Sequence, residues 1–224
     1  MQAKLFGGVL SSAVCFGVPL FTVAGTLHWP RAWIFVAVTV LLSAWTMFGV
    51  LAKSPALLDE RYGSPIQRDQ PLADKIITPL IAVGFFAFVL FIPRDVFHYD
   101  LLGHPPTWLA AVGLALFVAG WILISLALRA NAFAAPIVKH PEGQHVVERG
   151  PYQVIRHPMY AAALAMFVGM PLWLGSYAGM VAAALPMLPI IARILVEERT
   201  LRRDLPGYAD YATRVRWRMI PGLW

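Results

Sequence analysis

Charge is scarce in this sequence. Charged residues make up 13% of the chain and hydrophobic ones 59%, whereas a soluble domain is about a quarter charged and nearer half apolar. Acidic residues are the scarcer sign, 12 against 18 Lys and Arg, which leaves a formal charge of +6. Cysteine is almost absent: Cys15, inside an apolar run, is the one example. That excludes an internal disulfide framework and a cysteine-rich metal site, and Cys15 reads as a small hydrophobe. Also missing are Gly-x-Gly-x-x-Gly, Gly-x-x-x-x-Gly-Lys-Ser/Thr, His-Glu-x-x-His and Gly-x-Ser-x-Gly, so a dinucleotide fold, a P-loop, a zincin and a hydrolase elbow lack their signatures. There is no internal repeat, which removes support for transporters built from paired halves.

Present instead are apolar runs of membrane-spanning length, and a mean hydropathy of +0.66. The runs are residues 5–27, 33–52, 76–92 and 108–128, followed by a hairpin of 160–174 and 177–196 turning at Gly175-Ser176. An all-α integral membrane protein with about six transmembrane helices is expected. The fifth run is weak, because about 15 residues give roughly 22 Å against a hydrocarbon core of about 30 Å. Whether or not its tip crosses, so tight a turn returns the pair to the side it left. The first run has only Lys4 before it and no small-residue cleavage site, so it is expected to be a retained span.

The basic residues then orient the chain. All but Arg31 and Arg94 of the 18 Lys and Arg fall at the amino end, in the second and fourth loops, or after residue 192. The positive-inside rule puts both termini, and any chemistry in those loops, in the cytoplasm. It also accounts for the basic pI without nucleic acid as a partner. The first four spans read as carrying no interior charge, so residues 1–128 form a four-span scaffold. Residues 129–224, continuous with it, hold a polar loop, the hairpin and a tail.

Chemistry concentrates in that second part, at residues 129–157 and 193–210. The loop before the hairpin is long for a plain connection. Pro158 suits the first position of a helix, leaving amides near Met159 and Tyr160 to favour a carboxylate or phosphate. Arg156 and His157 precede it and would complete an anion pocket; the same residues also fit an arrangement in which Arg156 meets headgroups and His157 caps the helix. Pro186 and Pro189 are expected to interrupt the sixth helix. Arg193 and Glu197 stand four residues apart on one helix face, where opposite charges can meet. In the tail Tyr208, Tyr211 and Val215 share a face opposite Arg214 and Arg218, which reads as an amphipathic helix lying on the membrane. The six histidines match no zinc spacing, and no metal is expected.

Four pieces in order carry a resemblance: Gly150-Pro-Tyr-Gln-Val-Ile-Arg-His-Pro-Met-Tyr160, Glu197-Glu-Arg-Thr-Leu201, Pro206-Gly-Tyr-Ala-Asp-Tyr211 and Arg218-Met-Ile-Pro-Gly222. Together they resemble the isoprenylcysteine carboxyl methyltransferases and their phospholipid N-methyltransferase relatives, over about the last 85 residues. One departure is Ala161-Ala162, where many relatives carry a glycine after the tyrosine. The resemblance implies an S-adenosylmethionine-dependent membrane methyltransferase acting on a lipophilic or lipidated acceptor at a cytoplasmic site. It implies that Gln144, His145, Val146 and Val147 line the cofactor, that Tyr152 packs beside it, and that His157, Pro158, Met159 and Tyr160 hold its amino acid end. Glu197 would complete the cofactor pocket. Arg193 would face the acceptor and pair with its carboxylate; Glu198 is a weaker candidate than Glu197 for the pocket, because the next position on a helix turns about 100 degrees away. An amine or phospholipid N-methyltransferase, a nicotinamide-dependent membrane reductase of sterol type and a noncatalytic scaffold are the alternatives.

Overall fold

The computed structural model describes residues 1–67, 70–134, 137 and 143–224. Arg68, Lys139 and His140, which entered the orientation and histidine arguments, lie outside the described residues. Among those described, the α-helices are α1 (Gln2–Ala24), α2 (Pro30–Gly49), α3 (Pro55–Arg61), α4 (Leu72–Arg94), α5 (Thr107–Ala130), α6 (Pro158–Leu174), α7 (Tyr177–Ala182), α8 (Ala184–Asp204) and α9 (Tyr208–Arg214). There is no strand among them; Ile155 and Trp217 form an isolated parallel bridge.

Five stretches are long and apolar enough to cross a membrane: Gln2–Ala24, Pro30–Lys53, Leu72–Tyr99, Thr107–Ala130 and Tyr177–Asp204. This is a multi-pass membrane protein. Its sixth apolar helix, α6, has 17 residues, about 26 Å long and short of a core of about 30 Å. Both its ends are fixed locally: Pro158 occupies the first turn and Gly175, at φ 106, stops the helix in the left-handed conformation. Ser176 then caps α7, its Oγ accepting from Gly179 N at 2.7 Å. The hairpin turn therefore lies where the sequence places it.

Phe6, Leu10, Val14 and Val18, spaced by four on α1, are exposed, an apolar stripe suited to lipid. On the inner side small residues bring helices together. A methyl on Gly113 would lie 2.8 Å from Gly169 O, and one on Gly120 would lie 2.7 Å from Ala162 O. The α5–α6 contact is thus backbone against backbone, as small residues permit in membranes. It also answers the Ala161-Ala162 departure: Ala162 is fully buried, and the facing Gly120 makes room for it.

Three expectations need correction. First, α4 is not free of charge. The apolar run 76–92 itself carries none, but the helix extends about a turn beyond it at the amino end and buries Asp74, and Asp95, just past its carboxyl end, is buried as well. Asp95 is held by Ser176 Oγ, which donates to it at 2.5 Å, and by Leu101 N at 3.0 Å. Second, the sixth helix breaks once, at Ala183, three residues before Pro186; a proline ring collides with the carbonyl four residues earlier, and that is where the ladder stops. Pro189 sits inside α8 without a break. Third, the tail is not a long surface helix. The seven-residue α9 buries Tyr208, Tyr211 and Ala212 against the protein. The chain then runs extended beside residues 155–157, with Arg156 N donating to Trp217 O at 2.9 Å and His157 N to Arg218 O at 2.8 Å.

The polar contacts sort the helix ends. At one end lie Lys4 with Asp59, Arg61 with Ala134, Asp74 with Arg193, and His157 with Glu198. At the other lie Asp95, the Gly175-Ser176 turn, and His104, whose Nδ1 is 2.7 Å from Gly175 O.

Candidate active site

A cavity of about 310 Å³ opens at the end where the loop, the start of α6 and the end of α8 meet, within the volume range of small-molecule sites. Gln144, His145, Val146 and Val147 line it from the loop, and Tyr152 from the turn that follows. His157, Pro158, Met159 and Tyr160 line it from the start of α6, and Arg193 and Glu197 from α8. The two polar stretches, about forty residues apart in sequence, thus share one space.

Each group has a definite environment. Glu197 Oε2 accepts from Tyr160 Oη at 2.8 Å, leaving a carboxylate at the wall of a chamber of mixed polar and apolar lining. The next residue faces elsewhere, as one step around a helix requires. Glu198 is buried and accepts from Arg156 Nε at 2.7 Å and Arg218 Nε at 3.0 Å, with His157 Nε2 at 3.2 Å. Arg156 Nη1 also donates to Val215 O and Arg216 O at 2.7 and 2.8 Å. Arg156 therefore meets neither headgroups nor a free anion pocket: Glu198 neutralises it, and its donors pin the tail. The expected amide pair is reduced as well, since Tyr160 N donates to His157 O at 3.1 Å.

Arg193 reaches across to α4. Its Nε is 3.0 Å from Asp74 Oδ1 and its Nη2 donates to Asp74 Oδ2 at 3.3 Å, while Gln70 Nε2 holds the same Oδ2 at 2.6 Å. The ion pair, with one hydrogen bond inside it, holds the guanidinium beside the α4 carboxylate. On the opposite wall, burial pushes the Tyr152 hydroxyl up to about 12; Glu197 adds to the rise, while Asn131 and Arg61 oppose it. Burial likewise raises the pKa of Tyr208 and Tyr211. Tyr211 Oη donates to Tyr152 O at 2.7 Å, locking the tail helix onto the turn before α6.

Comparison with known proteins now has a geometry to act on. The phospholipid methyltransferase family model matches residues 108–205. The protein-S-isoprenylcysteine O-methyltransferase B of Arabidopsis thaliana is 30% identical over 150 residues, covering 64% of this chain and 75% of that protein. The chain belongs to the isoprenylcysteine carboxyl methyltransferase family. It is also similar to the cobalt-zinc-cadmium resistance protein CzcN of Cupriavidus metallidurans, 31% identical over 120 residues, which covers 51% of this chain and 53% of that one. The nickel-cobalt-cadmium resistance protein NccN of Alcaligenes xylosoxydans xylosoxydans is 29% identical over 111 residues, 48% of this chain and 50% of that one. Against these two resistance proteins the match spans about half their length. In fold the chain is like the eukaryotic intramembrane Ras methyltransferase ICMT, with a TM-score of 0.55 at 20% identity over 95% of this chain and 75% of that one.

Sequence reasoning missed several wall residues. Leu201 and Leu205 follow Glu197 at intervals of four and line the cavity with it, a periodicity legible in the sequence. Tyr208 and Tyr211 also line it; their shared face was visible, but not that it turns inward. Asn131 and Phe133 had no distinguishing signal. Arg61, from the short α3 of the supposed scaffold, had none either, yet it forms part of the wall.

Proposed function

We propose that this cavity binds S-adenosylmethionine and that the protein methylates the carboxylate of a lipophilic acceptor of isoprenylcysteine type. The observation that carries the reading is a chamber walled jointly by residues 144–147, residues 157–160, Arg193 and Glu197, in a chain of this family. The chamber fits the cofactor chemically. Glu197 offers an acceptor for an ammonium or ribose hydroxyl, Val146, Leu201 and Leu205 offer an apolar wall for a base, and the buried Tyr208 Oη has no hydrogen-bond partner among the described residues. Bound there, S-adenosylmethionine supplies an electrophilic methyl group whose transfer to a carboxylate oxygen forms the ester and leaves a neutral thioether, with no proton to move.

The protein's own task is then alignment and exclusion of water. Holding two reactants in near-attack geometry supplies up to about 7–11 kcal/mol. Arg193, fixed by Asp74, orients the acceptor carboxylate; because Asp74 already shares its charge, Arg193 does not over-stabilise the nucleophile. The break at Ala183 in the α7–α8 span is our candidate for the entry of the lipid chain. By the positive-inside rule the chamber faces the cytoplasm with both termini. On this reading the chain is one continuous unit in which residues 1–128 form the membrane frame and residues 129–224 hold the cofactor, with Arg61 and Asp74 as the frame's contributions to the site.

Titration of the purified protein with S-adenosylhomocysteine, and incubation with labelled methyl donor and N-acetyl-S-farnesylcysteine, test the reading. Binding and ester formation are expected. Glu197→Ala is expected to weaken S-adenosylhomocysteine binding at least tenfold, and Arg193→Ala to abolish ester formation while leaving that binding within about threefold. Methylation of an amine acceptor that survives Arg193→Ala would move the assignment to the N-methyltransferases of the same family model. Binding of NADPH alone would refute the methyltransferase reading.

A further inference from the structure

Among the described residues, Arg61 is the cavity cation that the chemistry above leaves without a task. Of the three arginine and histidine groups that line the cavity from α8 or just before α6, Arg156 and His157 are spent on Glu198, and Arg193 is paired with Asp74. Arg61 differs. Its Nη2 donates to Ala134 O at 3.2 Å, a single neutral contact, and its Nε is buried with no hydrogen-bond partner among the described residues. No acidic side chain among the described residues pairs with it. A guanidinium withdrawn from water without a carboxylate is costly, and a chain that keeps one on a cavity wall is suited to an anion arriving with the ligand.

Its place on the wall says which anion. Leu57 and Leu58, on the same short helix α3, belong to the packed cluster against which Met159 rests, and Met159 also rests against the cluster containing Tyr152. Arg61 thus stands on the loop and α6-start side of the chamber, beside the residues assigned to the amino acid end of the cofactor. Arg193 stands on the α4 side with Asp74. The two arginines have different neighbours, Tyr152 beside Arg61 and Asp74 beside Arg193, and Arg61 is the one whose charge no carboxylate among the described residues already shares.

We propose that Arg61 binds the α-carboxylate of the methyl donor, so that a residue of the membrane frame, and not only the loop and hairpin, selects the cofactor. The proposal rests on the S-adenosylmethionine reading, and the test separates the two. Calorimetric titration of the full chain in detergent would use S-adenosylhomocysteine and S-adenosyl-3-thiopropylamine, which lacks only the carboxylate. The wild type is expected to prefer S-adenosylhomocysteine at least tenfold, and Arg61→Gln to bind the two alike, at the affinity of the decarboxylated compound. Arg61→Lys, which keeps the charge but not the fork, should retain part of the preference, and thermal unfolding establishes that each variant is folded. A preference that persists in Arg61→Gln, or equal loss of both ligands in Gln and Lys variants, overturns the role of Arg61 while leaving the cofactor reading intact. No binding of either ligand by the wild type overturns both.

Discussion

At the scale of single residues, the adjacent Glu197 and Glu198 show how one helical step divides labour. Glu197 enters the chamber with one tyrosine hydroxyl for company; Glu198 gathers Arg156, His157 and Arg218 behind it. Breaking a buried pair by removing one partner strands a charge and costs about 3–5 kcal/mol. Glu198→Gln is therefore expected to destabilise the protein by about that much in denaturant titration, with the tail loosened from residues 155–157. The tyrosines give a pH dependence of definite sign. Tyr152 is pushed up to about 12, chiefly by burial, and burial raises Tyr208 and Tyr211 as well. An unfolded tyrosine ionises near about 10. Above that pH the unfolded chain loses protons that the folded chain keeps, so their contribution to stability is complete below about 10 and is lost as the pH rises toward about 12. Melting temperature in detergent should fall across that window, and less steeply in Tyr152→Phe.

At the scale of elements, the α5–α6 contact is the one that holds α6, whose first residues Pro158, Met159 and Tyr160 line the chamber. Gly113 and Gly120 face Gly169 and Ala162 with no room for a side chain, and overpacking such a seam costs about 1–3 kcal/mol or more. Gly120→Leu is expected to lower the melting temperature and to weaken S-adenosylhomocysteine binding together, because α6 carries both the seam and the cavity residues at its start. The boundaries of these helices were legible where local chemistry sets them: Pro158 at the start of α6, the left-handed Gly175 at its end. They were not legible for α4, whose amino end is held by an arginine over a hundred residues away, nor for α3, seven residues long and without an apolar run of its own.

At the scale of the whole molecule, the loops carrying the basic residues and the chamber lie at one end of the helices, and the Gly175-Ser176 turn at the other. Single cysteines at Ser64 and at Gly103, in a Cys15→Ser background, should label from opposite sides of sealed vesicles with a membrane-impermeant maleimide; labelling of both from one side would contradict the arrangement. The sequence by itself determined the apolar spans, the tight hairpin and the set of polar strips from which a chamber could be made, because span length, turn chemistry and charge bias are local or additive along the chain. Only the tertiary structure decided the partners. Whether Arg193 meets Glu197 or Asp74, whether Tyr208 and Tyr211 face lipid or the chamber, and whether Arg61 belongs to the frame or to the site depend on which helices lie side by side. That is fixed by packing between residues far apart in the chain, and no periodicity within one segment records it.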